Sequence, residues 1–168
     1  MKKRDPKNMA AHVLLLILVL FQVILSFFLY NPVYIWLTNL GWIVLWISAF
    51  FGWYPIYYFK KRGGVPKGKG FVHTTKLVDT GIYSVVRHPQ FLGGILLSLS
   101  LIMITQSWII LLLGIPVMIM FYLGLYEGDQ QGIEKFGRDY EEYMKRVPRA
   151  NFLLGIIRLL RKGKTIKT

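Results

Sequence analysis

The sequence predicts an all-α integral membrane protein with four transmembrane helices, followed by an amphipathic and an interfacial helix in a cytoplasmic tail. Three observations predict it. First, 54% of the 168 residues are hydrophobic, although the chain carries a formal net charge of +13. Second, that charge is segregated: no Asp, Glu, Lys or Arg occurs between Asn8 and Phe59, or between Phe91 and Tyr126. Uncharged runs of such length mark membrane spans. Third, a four-span arrangement puts all 21 Lys and Arg residues on one side. A soluble enzyme, a disordered chain and a nucleic-acid-binding domain are thereby excluded as main readings, and the basic charge is directed at anionic lipid headgroups. With no cysteine there is no thiolate nucleophile or zinc–thiolate site. No metal is expected.

The first uncharged run is too long for one helix, and Asn31-Pro32 divides it. A first span over 10–30 is about 31 Å long at 1.5 Å per residue, enough to cross the hydrocarbon core. A second span follows over 33–59, with Gly52 and Pro55 near its end. Tyr30, Tyr34, Trp36, Trp53, Tyr54, Tyr57 and Tyr58 fall at the span ends, as interfacial aromatic belts do. In the second run, polar Thr105-Gln106-Ser107 turns the chain between spans over 89–105 and 108–126. These are about 26 and 28 Å long by the same rise, short enough to imply a thinned or protein-packed setting. Both termini, the loop 60–88 and the tail 127–168 then share one side, which the positive-inside rule makes the cytoplasm. The apolar stretch after the basic N-terminus is too long for a signal peptide and lacks a small-x-small cleavage site, so an uncleaved anchor is expected. With no internal repeat or flexible linker, residues 1–168 read as one membrane domain, and nothing in them calls for a protein partner.

Three cytoplasmic segments remain for chemistry. The basic, glycine-rich stretch from Lys60-Lys61-Arg62 to Lys69-Gly70 lacks P-loop spacing and reads as a lipid-touching loop. In the second, Gly81, Tyr83, Arg87, His88, Pro89 and Phe91 crowd in front of an apolar helix. Pro89 suits the first helical position. Unpaired backbone donors there, with Arg87 beside them, would make an anion site. Equally, Arg87 is a positive-inside residue and His88 a cap, and residue chemistry does not separate the two. The third segment opens on Glu127-Gly128-Asp129, acids at the edge of a basic protein. Ile133, Phe136, Tyr140, Tyr143, Met144 and Val147 then recur at helical spacing, predicting an amphipathic helix over 130–146. Residues 152–160 are apolar, too short to span and flanked by Arg158, Arg161 and Lys162, the pattern of an interfacial helix.

At these residues the chain resembles the integral-membrane methyltransferases, a group holding the isoprenylcysteine carboxyl methyltransferases and the phospholipid N-methyltransferases. Gly81-Ile82-Tyr83 followed by Arg87-His88-Pro89-Gln90-Phe91 is similar to the family's Gly-x-Tyr-x-x-x-Arg-His-Pro-x-Tyr signature. Phe136-Gly137-Arg138-Asp139-Tyr140-Glu141-Glu142-Tyr143 and Val147-Pro148-Arg149 are similar to its tail. Two departures stand out. The family's adjacent glutamates are replaced by Glu127-Gly128-Asp129-Gln130, and its tyrosine after Arg-His-Pro is Phe91, so a phenol hydroxyl is lost there.

The resemblance implies an S-adenosylmethionine-dependent methyltransferase. Its cofactor would lie in a cytoplasmic pocket lined by Tyr83, Arg87, His88, Pro89, Phe91, Glu127, Asp129 and Tyr140, with Arg87, Glu127 and Asp129 as the catalytic candidates. In that reading Arg87 and the helix start suit the cofactor's carboxylate, Glu127 or Asp129 its amine or ribose, and Tyr83, Phe91 or Tyr140 its sulfonium. His73 would line the pocket, and His12 would be a packed residue of the first span. The acceptor would be a lipid in the bilayer. The two acids favour an amine headgroup over a prenylcysteine carboxylate, because a protonated amine must lose a proton before it attacks. The competing classes are an NADPH-dependent sterol-type reductase, which resembles the same C-terminal half, and a non-catalytic lipid-binding membrane protein.

Overall fold

The computed structural model describes residues 6–70 and 73–165. Among them the chain is helical, in the order α1 (Pro6–Phe28), α2 (Ile35–Arg62), α3 (Pro89–Thr105), α4 (Trp108–Phe136), α5 (Arg138–Arg146) and α6 (Phe152–Thr165), with a short 3-10 turn at Gly81–Ser84. No strand occurs among the described residues. Three helices, α1, α2 and α4, are long and apolar enough to cross a membrane, while α3 is a shorter apolar helix of 17 residues. The basic residues 2–4 used in the topology argument lie outside the described part.

The helix bounds follow the sequence reading where turn chemistry is explicit. Asn31-Pro32 falls between α1 and α2, Pro89 starts α3, and Gln106-Ser107 separates α3 from α4. The expected single helix over 130–146 is the correction. Instead α4 runs on to Phe136, and α5 begins at Arg138. The cause is Gly137, whose φ of 55° and ψ of −130° suit glycine alone. Its N–H still donates to the Ile133 carbonyl at 2.8 Å, closing the last turn of α4. α6 starts where Asn151 accepts the Leu154 N–H on its side chain at 3.0 Å, an N-cap bond.

The chain divides into two compact units, Met1–Ala49 with Gly94–Leu123, and Phe50–Gly93 with Gly124–Thr168. In the first, apolar side chains such as Val13, Leu16, Ile17, Leu20 and Ile24 face outward, the inverse of a soluble protein and the pattern lipid requires. Its helices are joined by neutral polar contacts. Buried Gln22 donates to the Ser98 carbonyl at 3.4 Å, and the Ser98 hydroxyl donates to the Gly114 carbonyl at 3.2 Å. The amide of Gln106 ties the two turns together. Its oxygen accepts from Val33 and Tyr34 N–H at 3.1 and 2.8 Å, and its nitrogen donates to the Tyr34 carbonyl and the Thr38 hydroxyl at 2.9 and 3.0 Å.

The second unit gathers the ends of α2, α3 and α4 with the connecting loops, α5 and α6. Tyr140, Tyr143 and Val147 of the α5 region form a buried cluster, against which Leu77, Ile133, Phe136 and Met144 pack. The Tyr143 hydroxyl donates to the Tyr83 carbonyl at 2.6 Å, fastening α5 to the 3-10 turn. The basic loop is closed at its neck: Thr74 donates to the Gly63 and Lys76 carbonyls, and the Thr75 hydroxyl to that of Gly64 at 2.8 Å.

Candidate functional site

Asp129 is the centre of the second unit's polar chemistry. It sits on α4, buried, and four side chains donate to it. On Oδ2, Arg87 Nη2 lies at 2.9 Å and Arg149 Nε at 2.7 Å. On Oδ1, His88 Nε2 lies at 2.7 Å and the Tyr140 hydroxyl at 3.1 Å. Four partners for one carboxylate saturate its acceptor positions, and two of them carry a permanent charge. Burial and, next, the neighbouring Asp129 charge push the Tyr140 hydroxyl well above the usual phenol range, so it remains a donor.

Arg87 is buried as well, and its guanidinium is turned inward. Nη1 donates to the carbonyls of Met144 and Val147 at 2.8 and 3.0 Å. These lie at the C-terminal end of α5, where unpaired carbonyls concentrate negative potential and a cation is favoured. One arginine therefore joins α4 to the end of α5 from just before α3. The tail completes the joint through its backbone. Arg87 and His88 N–H donate to the Pro148 and Arg149 carbonyls at 3.1 and 3.2 Å. The backbone donors expected to stand free ahead of α3 are thus occupied at these two residues by the Pro148 and Arg149 carbonyls.

The close approach of these side chains to α4 depends on a stripe of glycines. Gly124, Gly128 and Gly132 recur every fourth residue on one face of the helix. A Cβ at Gly124 would lie 2.5 Å from the Phe91 ring, one at Gly128 2.7 Å from the His88 ring, and one at Gly132 2.3 Å from the Tyr140 ring. Each glycine thus seats one ring, and the middle and last seat the two that reach Asp129. Between Glu127 and Asp129, Gly128 makes room for His88.

The structure brings Arg87, His88, Asp129 and Tyr140 together. Pro89 is buried as the first residue of α3, and the Phe91 ring meets that of His88 edge-on with centroids 5.9 Å apart. Glu127 accepts from Gln131 at 3.1 Å. Tyr83 belongs to an aromatic group instead, with its ring edge-on to Phe59 at 4.5 Å. Burial raises its pKa far above the ordinary tyrosine value. Among the described residues its hydroxyl and Arg87 Nε are buried polar atoms without a hydrogen-bond partner. Both are donors. Arg149 was legible only as part of a tail motif. Its guanidinium stacks 3.9 Å from the Tyr126 ring centroid while pairing with Asp129.

No curated protein and no solved structure matches the chain. Comparison with protein families matches residues 10–129 to phospholipid methyltransferase, a stretch that includes the Arg87-His88-Pro89 segment and ends on Asp129. The match covers more than two thirds of the sequence, and the α5 block and the Val147-Pro148-Arg149 strap lie beyond it. On that match the chain belongs to the phospholipid methyltransferase family, whose members are integral-membrane, S-adenosylmethionine-dependent methyltransferases.

Proposed function

We propose that the protein methylates the amine headgroup of a phospholipid with S-adenosylmethionine as methyl donor. The observation that carries the reading is the family match, which ends on the acid that the Arg-His-Pro segment binds. In support, the site suits the cofactor's donor-acceptor pattern. Tyr83 Oη and Arg87 Nε are buried donors lacking an acceptor among the described residues, and a carboxylate or ribose oxygen supplies one. The cofactor contributes a methyl group activated on a sulfonium. The chain contributes binding and alignment, the main source of acceleration in such a transfer.

In this reading Asp129 acts as the positioning residue, holding Arg87, His88 and Tyr140 in fixed orientations through saturated hydrogen bonds. Glu127, two residues before it and bonded to Gln131, is the acid that accepts the proton a protonated headgroup must lose. The spans, α3 included, carry the lipid-facing part of the protein. The basic segments face the cytoplasm and touch anionic headgroups. Reporters fused at Thr168 and inserted at Ser107 should therefore report opposite sides of the membrane.

The activity test uses the purified chain with radiolabelled S-adenosylmethionine. Label is expected in an extracted phospholipid bearing a primary or partly methylated amine, and Glu127→Gln should lower turnover while sparing cofactor affinity. Calorimetric binding of NADPH with no binding of S-adenosylmethionine would replace this reading with a reductase.

A further inference from the structure

Arg149 fills a place that its neighbours do not need it to fill. Asp129 keeps Arg87, His88 and Tyr140 on its two oxygens without it. Those partners are enclosed, whereas Arg149 is the accessible one: its side chain is 30% exposed, against 6% for Arg87 and 11% for His88. Its backbone is held separately, the carbonyl accepting from His88 N–H at 3.2 Å, so the side chain can leave while the strap stays in place. The guanidinium meanwhile lies 3.9 Å from the Tyr126 ring centroid and 2.7 Å, through Nε, from Asp129 Oδ2. An aromatic face and a carboxylate converging on one cation are the recognition elements for onium groups, in which a diffuse positive charge is wrapped in methyl or methylene groups.

We propose that Tyr126 and Asp129 form an onium subsite and that Arg149 is its displaceable internal occupant. The ligand class is a sulfonium or a methylated ammonium. The ring face carries the contact, because such a group has no N–H or too few to satisfy the carboxylate. Arg149, which bonds Asp129 directly, holds the subsite until such a ligand enters. The proposal rests on the methyltransferase reading only for the source of the ligand, since the cofactor's sulfonium and a methylated lipid headgroup share this chemistry.

The test is a titration of the purified full chain, in a maltoside detergent free of choline lipids, with choline and with its neutral isostere 3,3-dimethylbutan-1-ol. Choline should bind and the alcohol should not; equal binding of the two overturns the proposal. Arg149→Gln, which keeps a planar amide for Asp129 but removes the charge, should tighten choline binding about tenfold if the guanidinium occupies the subsite nine-tenths of the time. Adding Tyr126→Leu should abolish the binding. Unchanged or weaker choline affinity in Arg149→Gln overturns the proposal. If that variant does not fold, Arg149→Lys replaces it, with a smaller tightening expected and none counting against the idea. Displacement of choline by S-adenosylmethionine but not by its neutral thioether product identifies the sulfonium as the ligand. Displacement by a methylated-headgroup lipid alone identifies the lipid, and displacement by neither overturns the subsite. Failure of the choline arm with intact S-adenosylmethionine binding removes the subsite and leaves the methyltransferase reading. Choline binding without S-adenosylmethionine binding does the reverse.

Discussion

The two units solve the same problem, holding helices together, with opposite chemistry. In the first, the contacts described between helices are neutral: the amides of Gln22 and Gln106, hydroxyls, and backbone carbonyls such as those of Ser98, Gly114 and Tyr34. In the second, one buried carboxylate gathers two guanidiniums, an imidazole and a phenol. A charge without partners is tolerated nowhere in a low-dielectric setting, so a charged joint must be complete before it stabilises anything. A neutral joint carries no such condition. The enclosed part of that joint, Asp129 with Arg87, His88 and Tyr140, is therefore the all-or-none part of the second unit, with geometry fixed by mutual dependence.

Removing the hub is the strongest challenge to that contrast. Asp129→Ala leaves Arg87 buried at the end of α5 with its charge uncompensated, and should destabilise the protein by roughly 3–5 kcal/mol. Chemical unfolding in detergent measures it. A loss under 1 kcal/mol would mean that water or another group replaces the carboxylate, and the charged joint would then be no more demanding than the neutral one.

The glycine stripe offers a test of intermediate size. Gly132→Ala would place a Cβ 2.3 Å from the Tyr140 ring, which cannot yield without loosening its bond to Asp129. Overpacking of this kind costs about 1–3 kcal/mol. The double variant with Tyr140→Phe should cost less than the two single changes summed, because both act on the same bond. Strict additivity would separate the stripe from the hub. The first unit's counterpart is Gln106→Ala, which deletes an amide making four contacts at an exposed turn and should cost about 1–2 kcal/mol. Gln106→Gly should recover part of that, since Gln106 holds a φ of 52° that glycine adopts freely.

The helix pattern was legible from charge and punctuation. Uncharged runs located α1 to α4, and Pro32, Pro89 and Gln106 sit where the chain turns. What periodicity missed is the break at Gly137. The apolar spacing of Ile133, Phe136, Tyr140 and Tyr143 continues across it, and only the backbone angles of one residue interrupt the helix. In the site, the pairing of the Arg87 segment with the acids after Tyr126 was foreseeable, because a helical hairpin returns the end of α4 beside the start of α3. The choice of Asp129 over Glu127 was not. It depends on which face of α4 carries glycine, and Gly124, Gly128 and Gly132 were a readable signal for it, since small residues every fourth position mark a close-packed face. The inward turn of Arg87 was not readable, because it is set by backbone carbonyls at the end of α5, which no side-chain pattern marks.

The smallest expected effect sharpens the comparison most. Gln22 is among the most buried polar side chains described in the first unit, at 1% exposure, and its Nε2 reaches the Ser98 carbonyl at 3.4 Å. A buried amide in water-soluble surroundings would suggest a large penalty for its loss. In a membrane the reference state differs, because a helix separated from its neighbours in lipid still satisfies its backbone and finds other partners, and interhelical bonds average about 0.6 kcal/mol. Gln22→Met keeps the length and flexibility of the side chain, and the space beside Gly114, 2.8 Å from a hypothetical Cβ to Gln22 Nε2, stays filled. The carbonyl of Ser98 still belongs to the backbone ladder of α3, so no orphaned group is created. Unfolding in detergent should therefore detect a loss of only about 0.6 kcal/mol. A loss near that of Asp129→Ala would show that the neutral unit is as tightly coupled as the charged one, and that charge is not what makes the Asp129 joint all-or-none.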